Sequence, residues 1–419
     1  MQNLSRSSIA WALYDWANSA FALIIMTAIY PLFFSGYYAS SMDVAHSTFW
    51  YGLAASISGF FIAILSPIMG ARCDAQGNYI QHLIFFAVTG ALATALLFFV
   101  PKGNWQLACI LYMLGNLGFA LANVFYDSLL PFVSTKKNEH FLSSLGFALG
   151  YFGSTFLLLA CMWAIQKTNN DPFVIRLCFV ATGAWWILFS IPIILWVPNP
   201  KHKPQKEFRI QSLYTELKNS FSILVHYPKI QLFLAAYFFY IDGVNTVIKM
   251  ASKLGADLHF DTTQLILAII LVQVVGVPSS LIFGYIAQKR GTRNLILTAI
   301  IIYFGVTCYA SFMTTTPIAL GTLAISPLFI LAFFIGVAQG GIQALSRSYY
   351  ASLIPQEHSG ALFGIYNMMG KAATVFGPIL VGSVALLTGN SQRGMLSICI
   401  LFILGAFFFV LATRKKVTE

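Results

Sequence analysis

The chain has 419 residues, of which 58% are hydrophobic and only 9% charged, against about 25% charged in an ordinary soluble chain. That balance excludes a water-soluble enzyme and predicts an integral membrane protein. On a soluble domain the formal charge of +11 would suggest nucleic acid as a partner, but here the cations first have to be assigned to membrane sides, and no nucleic acid is expected.

Twelve apolar stretches of roughly 20 residues or more predict membrane-spanning helices, at 9–36, 48–70, 80–100, 105–130, 142–165, 174–197, 229–250, 263–287, 293–313, 323–347, 362–387 and 394–412. The first runs far past the apolar core of a signal peptide, about 7–15 residues, and has no small-residue cleavage site, so it is expected to stay as a helix. It carries Tyr14-Asp15-Trp16-Ala17-Asn18-Ser19. A charged side chain at the bilayer centre costs roughly 2.5–3.5 kcal/mol on insertion scales, so Asp15 is a functional candidate facing protein or water. Helical spacing places Asn18 and Ser19 on its face.

The second stretch ends in Gly70-Ala71-Arg72-Cys73-Asp74-Ala75-Gln76-Gly77-Asn78, a tight connection. The fourth ends in Tyr126-Asp127-Ser128-Leu129-Leu130-Pro131, with Asp127 near a helix end, where gating or snorkelling is expected. Gly146, Gly150 and Gly153 in the fifth allow close helix crossing. Between Pro198 and Pro228 lies the one substantial hydrophilic segment. There Leu213, Leu217, Phe221 and Leu224 predict an amphipathic helix on the cytoplasmic membrane face, with Lys206, Arg209 and Lys218 toward lipid headgroups.

The second half repeats these features in the same order and at near-constant offset. Asp242-Gly243-Val244-Asn245-Thr246 echoes the first motif, and Gly284, Gln288 and Gly291 echo Gly70, Asp74 and Gly77, with Gln in place of Asp. Tyr350-Ala351-Ser352-Leu353-Ile354-Pro355 echoes the stretch at Tyr126. Gly336, Gly340 and Gly341, then Gly364, Gly370, Gly377 and Gly382, mark further close crossings, and Gly377-Pro378 predicts a kink. Arg347 stands near a cytoplasmic helix end, where gating or snorkelling is expected. Lys371 lies about nine residues into the eleventh stretch, roughly 14 Å deep. A lysine there has to pair, deprotonate or bind an anion. Asn367 shares its face, with Tyr366 adjacent. Trp11, Trp50, Trp105, Trp163 and Trp196 fall near segment ends and are expected to anchor at the interface.

The repeat predicts an all-α membrane protein of two pseudo-symmetric six-helix bundles, 1–197 and 229–419, joined by a linker at 198–228. Seventeen Lys and Arg fall on the side of the N-terminus and six on the other, which puts both termini in the cytoplasm. The six cysteines show no C-x-x-C and read as small hydrophobes, not as a disulfide frame or metal site. Gly364-x5-Gly370-Lys371-Ala372 imitates a P-loop but has five spacers, an Ala after the Lys and no preceding strand. No catalytic, metal or cofactor motif is present, so energy is expected from a gradient, or the flux runs downhill.

Three stretches together resemble one family: Tyr14 to Phe21, Gly340-Gly341-Ile342-Gln343-Ala344-Leu345-Ser346-Arg347-Ser348, and Phe363 to Lys371. The chain resembles the major facilitator superfamily, in the branch of the fungal vacuolar amino-acid effluxers and their bacterial relatives. Its loop at Gly70, Asp74 and Gly77 matches the superfamily signature in part, with Ala75 where Arg is usual and Asn78 where the basic run begins. The resemblance implies a monomeric alternating-access transporter of the cytoplasmic membrane, moving a small solute, with amino acids as a family-level guess. It also implies gates at Gly70, Asp74, Gly77, Asp127, Gly284, Gln288, Gly291 and Arg347, and a cavity lined by the first, fourth, seventh and tenth helices.

On that reading Asp15, Asn18, Asp242, Asn245, Tyr366, Asn367 and Lys371 are the substrate or proton-coupling residues. Asp242 is expected to be held ionised by Lys371, leaving Asp15 for a proton or an ammonium group, so that a zwitterion fits. The alternatives are a drug or metabolite effluxer and a lipid-moving or channel-like member of the same fold.

Overall fold

The computed structural model describes residues 4–200, 213–320 and 323–414. Among these, twelve helices are long and apolar enough to cross a membrane: Arg6–Ala28, His46–Gln76, Tyr79–Phe99, Trp105–Val133, Glu139–Lys167, Pro172–Trp196, Pro228–Ala251, Thr263–Arg290, Arg293–Ser311, Pro327–Leu353, Gln356–Thr388 and Ser391–Thr413. They are called the first to twelfth spans below.

Polar residues at the boundaries start these helices by accepting the orphan N–H groups of the first turn. Asp43 accepts from His46 N at 2.8 Å, Asp171 from Phe173 N at 2.9 Å, Asp261 from Thr263 N at 2.9 Å, and Asn390 from Gln392 N at 2.8 Å. The second span stops where Gly77 takes a φ of 71°, a left-handed conformation that costs glycine little. The first span widens into a π-helix over Phe21–Ala28. Pro31 brings no N–H to the Thr27 carbonyl, and the Ile29 N–H instead reaches five residues back to Ile24 O at 2.9 Å.

The eleventh span is broken. It runs as α-helix over Ser359–Ala372, loses helical form at 373–375, and resumes over Phe376–Thr388. The break precedes the expected Gly377-Pro378 kink because Pro378 lacks the N–H that would close on the Thr374 carbonyl. One departure from an all-helical chain is a small antiparallel pair of strands before the tenth span, Ile318–Leu320 with Leu323–Ile325, in the register Ala319↔Ala324. The linking helix covers Leu213–Val225. Leu224 is buried and Phe221 exposed; Lys206 and Arg209 lie outside the described residues.

The chain divides into two compact units. The first contains residues 1–138, 149–220 and 355–368; the second contains 139–148, 221–354 and 369–419. Each half in sequence therefore contributes one short helical piece to the other unit, the start of the fifth span in one case and of the eleventh in the other.

Within the first unit, aromatic packing surrounds the first span. Trp11 stacks on Tyr126 with centroids 4.4 Å apart, and its Nε1 donates to Tyr126 O at 2.8 Å. Trp11 is wholly buried. It is a core residue, not the interfacial anchor expected from its place near a segment end, because the fourth span covers it. Trp163 does stay exposed, with the Lys167 ammonium 4.9 Å from its ring. A Cβ on Gly150 would meet Ser19 Oγ at 2.5 Å, and one on Gly153 the Trp16 ring at 2.6 Å, so these glycines set how closely the fifth span approaches the first. In the second unit Gly336 and Gly340 of the tenth span cross the eighth, where a Cβ would lie 2.8 Å from Val272 O and 2.7 Å from Gly276 O.

Candidate functional site

The polar residues singled out in the sequence are buried or half-buried, and they fall into one group per unit with a separate helix-end contact in each. In the first unit Asp15, 7% exposed, accepts a hydrogen bond from Tyr126 Oη at 2.8 Å. One turn on, Asn18 Nδ2 donates to Asn123 Oδ1 at 2.6 Å, and Trp186 Nε1 reaches the Tyr14 hydroxyl at 3.4 Å. The charges of both Asp15 and Asp127 act on that hydroxyl. Asp127, also 7% exposed, accepts from Asn367 Nδ2 at 3.1 Å. It is thus held in the protein interior, where the sequence suggested a gating or snorkelling residue near a helix end. Tyr366 is buried beside it in sequence, edge-on to Phe363 with centroids 5.8 Å apart. Tyr126 and Asn123 were missed in the sequence. Tyr126 adjoins Asp127 inside an apolar run, and the need of a buried carboxylate for a donor was the available signal.

In the second unit Asp242 is fully buried. Its Oδ1 accepts the Gly377 N–H at 3.1 Å, at the start of the second piece of the eleventh span, and lies 3.5 Å from Thr246 Oγ1. A Cβ on Gly377 would collide with Thr246. Asn245, half-buried, stands one turn on. Lys249 is a cation whose field reaches Asp242. Lys249 occupies i+7 on the face that carries Asp242 and Thr246, two turns along the same helix, whereas Lys371 lies on the near side of the helix break. The charge of Lys249 acts on Lys371 as well. Lys249 stands near the end of the seventh span.

Two helix-end contacts have matching geometry. In the first unit Asp74 Oδ1 accepts the Gly360 N–H at 2.7 Å, Asp74 Oδ2 accepts the Ala361 N–H at 2.8 Å, and the Tyr79 hydroxyl also donates to Asp74. The carboxylate therefore caps the N-terminus of Ser359–Ala372, where negative charge is favoured. Gly70 and Gly360 cross backbone to backbone with no room for a Cβ on either, and Gly364 meets Ser66 and Pro67 in the same way. In the second unit Gln288 Oε1 accepts His140 N at 3.0 Å and Phe141 N at 3.4 Å, capping the fifth span with a neutral amide. Gly284 packs on Ser144. Gly77 and Gly291 take left-handed φ values of 71° and 85° just beyond their helices. Arg347, 3% exposed, donates through Nε to Ser143 Oγ at 2.9 Å and through an Nη to Ser143 O at 2.9 Å, with its guanidinium 4.4 Å from the Phe147 ring centroid. It is buried, not snorkelling.

With this geometry in view, comparison with known proteins decides the family. Residues 37–419 match the family described as "Vacuole effluxer Atg22 like". The chain belongs to the Atg22-like branch of the major facilitator superfamily. It is 36% identical, over 100% of its own length and 97% of the relative's, to the uncharacterized MFS-type transporter YxiO of Bacillus subtilis (strain 168). It is 26% identical to autophagy-related protein 22-2 of Aspergillus clavatus over 66% of this chain, and spans 49% of that longer protein. In fold this Atg22-like chain is similar to the human organic anion transporter MFSD10, with a TM-score of 0.77, 12% identity and coverage of 96% and 99% of the two chains. The proton:xylose symporter XylE superposes with a TM-score of 0.74, 14% identity and coverage of 96% and 94%. The chain is an integral multi-pass membrane protein and a secondary transporter on the major facilitator fold.

Proposed function

We propose that this Atg22-like transporter moves a small polar solute, best a zwitterion such as an amino acid, across the cytoplasmic membrane by proton-coupled alternating access, as a monomer with both termini in the cytoplasm. The carrying observation is that ionisable groups of opposite sign stand within the membrane spans, with Asp15 and Asp127 buried and Lys371 half-buried. Asp15 and Asp127 lie in the first unit, and Lys249 and Lys371 act on one another in the second. A zwitterion carries the complement of each sign, and buried charge at these depths is retained for a function. Asp15, which accepts from the Tyr126 hydroxyl at 2.8 Å, is the group assigned to a proton or to the solute's ammonium. Asn18, Asn245, Tyr366 and Asn367 supply uncharged donors and acceptors that set orientation.

The Asp74 and Gln288 caps, with Arg347 on Ser143, are the cytoplasmic closures on this reading. Each ties the start of one span to residues from the other sequence half, so cytoplasmic opening has to break them. The test is counterflow in proteoliposomes containing the purified full chain and preloaded with single amino acids. Trans-stimulated uptake that responds to an imposed pH gradient is expected. Flux without trans-stimulation points to a channel-like member and removes the carrier mechanism.

A further inference from the structure

The break in the eleventh span releases more than a kink. In an unbroken helix the Ala373 carbonyl would take the Gly377 N–H and the Thr374 carbonyl the N–H of residue 378. Here the Gly377 N–H is turned to Asp242 Oδ1 at 3.1 Å, and residue 378 is a proline with none to give. Both carbonyls thus lose their helical donors at membrane depth. The C-terminal, negative end of Ser359–Ala372 meets the same break. Asp242 offsets the opposite dipole, the positive N-terminus of Phe376–Thr388, through the Gly377 contact.

A second, independent feature points to a ligand. Asp242 Oδ2 is buried with no hydrogen-bond partner among the described residues, although the side chain is wholly enclosed. Its sister oxygen lies on Gly377, so Oδ2 stands at the break. An unsatisfied buried carboxylate oxygen costs more than almost any other polar group. The oxygens gathered there are the Asp242 carboxylate, the Thr246 hydroxyl 3.5 Å from it, and the released carbonyls of the break. Discontinuous membrane helices use such unwound carbonyls to coordinate sodium ions.

We infer that Asp242, Thr246 and the freed carbonyls of Ala373 and Thr374 bind an alkali cation, Na+ by preference. The charge count selects a monovalent ion. One carboxylate contributes, the described residues contain no cluster of three acidic, His or Cys side chains, and Lys249 places a positive charge in range of Asp242. Calcium and magnesium sites draw on more carboxylates or on substrate phosphates. The inference rests on the transporter reading only in making this ion a coupling ion; binding itself is independent of transport.

The experiment measures unfolding temperature of the purified full chain in detergent, with NaCl or KCl exchanged against choline chloride at constant ionic strength and pH. A saturable rise in Tm with Na+ is expected, as binding to the folded state requires. Asp242→Asn and Thr246→Val should raise the half-saturating Na+ concentration at least about tenfold, whereas Thr246→Ser and Asp15→Asn should leave it unchanged. Equal Tm in Na+ and choline overturns the site, and so does an unaltered Na+ response in both Asp242→Asn and Thr246→Val. Stabilisation by acidification alone that disappears in Asp242→Asn also overturns it, assigning the free oxygen to a proton. If Asp242→Asn fails to fold, the pair Thr246→Val and Thr246→Ser still decides. Counterflow on the same preparation reads the transport proposal separately, so either can fail without the other.

Discussion

Replacing Asp74 by Asn should unlatch the first unit's helix-end contact while sparing solute binding. Asp74 accepts two backbone N–H groups, from Gly360 at 2.7 Å and Ala361 at 2.8 Å, plus the Tyr79 hydroxyl. Hydrogen bonds to charged groups contribute about 1.5–3 kcal/mol each, and a carboxylate at a helix N-terminus adds about 0.3–1 kcal/mol. Asn retains one acceptor, loses the charge and presents an NH2 group toward a donor, so the closed arrangement should lose about 2–4 kcal/mol. That is roughly 30- to 1000-fold in the closed-to-open ratio. The assay is labelling of Leu362→Cys, a fully buried position, by an impermeant maleimide applied to each membrane side in turn, in a chain whose native cysteines are replaced. A rate at least about tenfold higher in Asp74→Asn is expected, with unchanged solute affinity. A rate within about twofold of the parent, in protein that still folds, would show that the cap does not hold this contact, and the energetic argument would fail.

The matched variant Gln288→Ala removes two neutral bonds, at 3.0 and 3.4 Å, so it should cost about 1–2 kcal/mol and speed labelling of Leu142→Cys less than Asp74→Asn speeds Leu362→Cys. Arg347→Lys should lower Tm and transport together by about 2–3 kcal/mol of lost contact, because an ammonium cannot reproduce the two-pronged grip on Ser143; full activity in the Lys variant would refute the role of the fork. Gly364→Ala should destabilise by about 1–3 kcal/mol, read as Tm, since its Cβ has no space against Ser66 and Pro67. Asp15→Asn should remove the pH dependence of uptake while leaving exchange measurable, and a parental pH profile would take the proton away from Asp15.

Much of this protein is legible as a one-dimensional message. Apolar length alone marks all twelve spans, because a bilayer demands a continuous stretch of backbone that satisfies itself. The duplicated polar motifs reveal the repeat for the same reason: a carboxylate in an apolar run is visible without knowing what it touches. Asp15, Asp242 and Lys371 were found that way, as were Gly70, Asp74, Gly284 and Gln288. Their partners were not, since partnership is a contact between residues far apart in the chain. Tertiary structure alone decided that Tyr126 serves Asp15, that Asp74 caps Gly360 and Ala361, and that Trp11 is covered by the fourth span. The helix break shows both levels at once. Pro378 announces a defect in the sequence, because it lacks an N–H. Only the fold brings Asp242 to the Gly377 N–H, since nothing in the sequence across their separation of 135 positions encodes that the seventh span will lie against the eleventh.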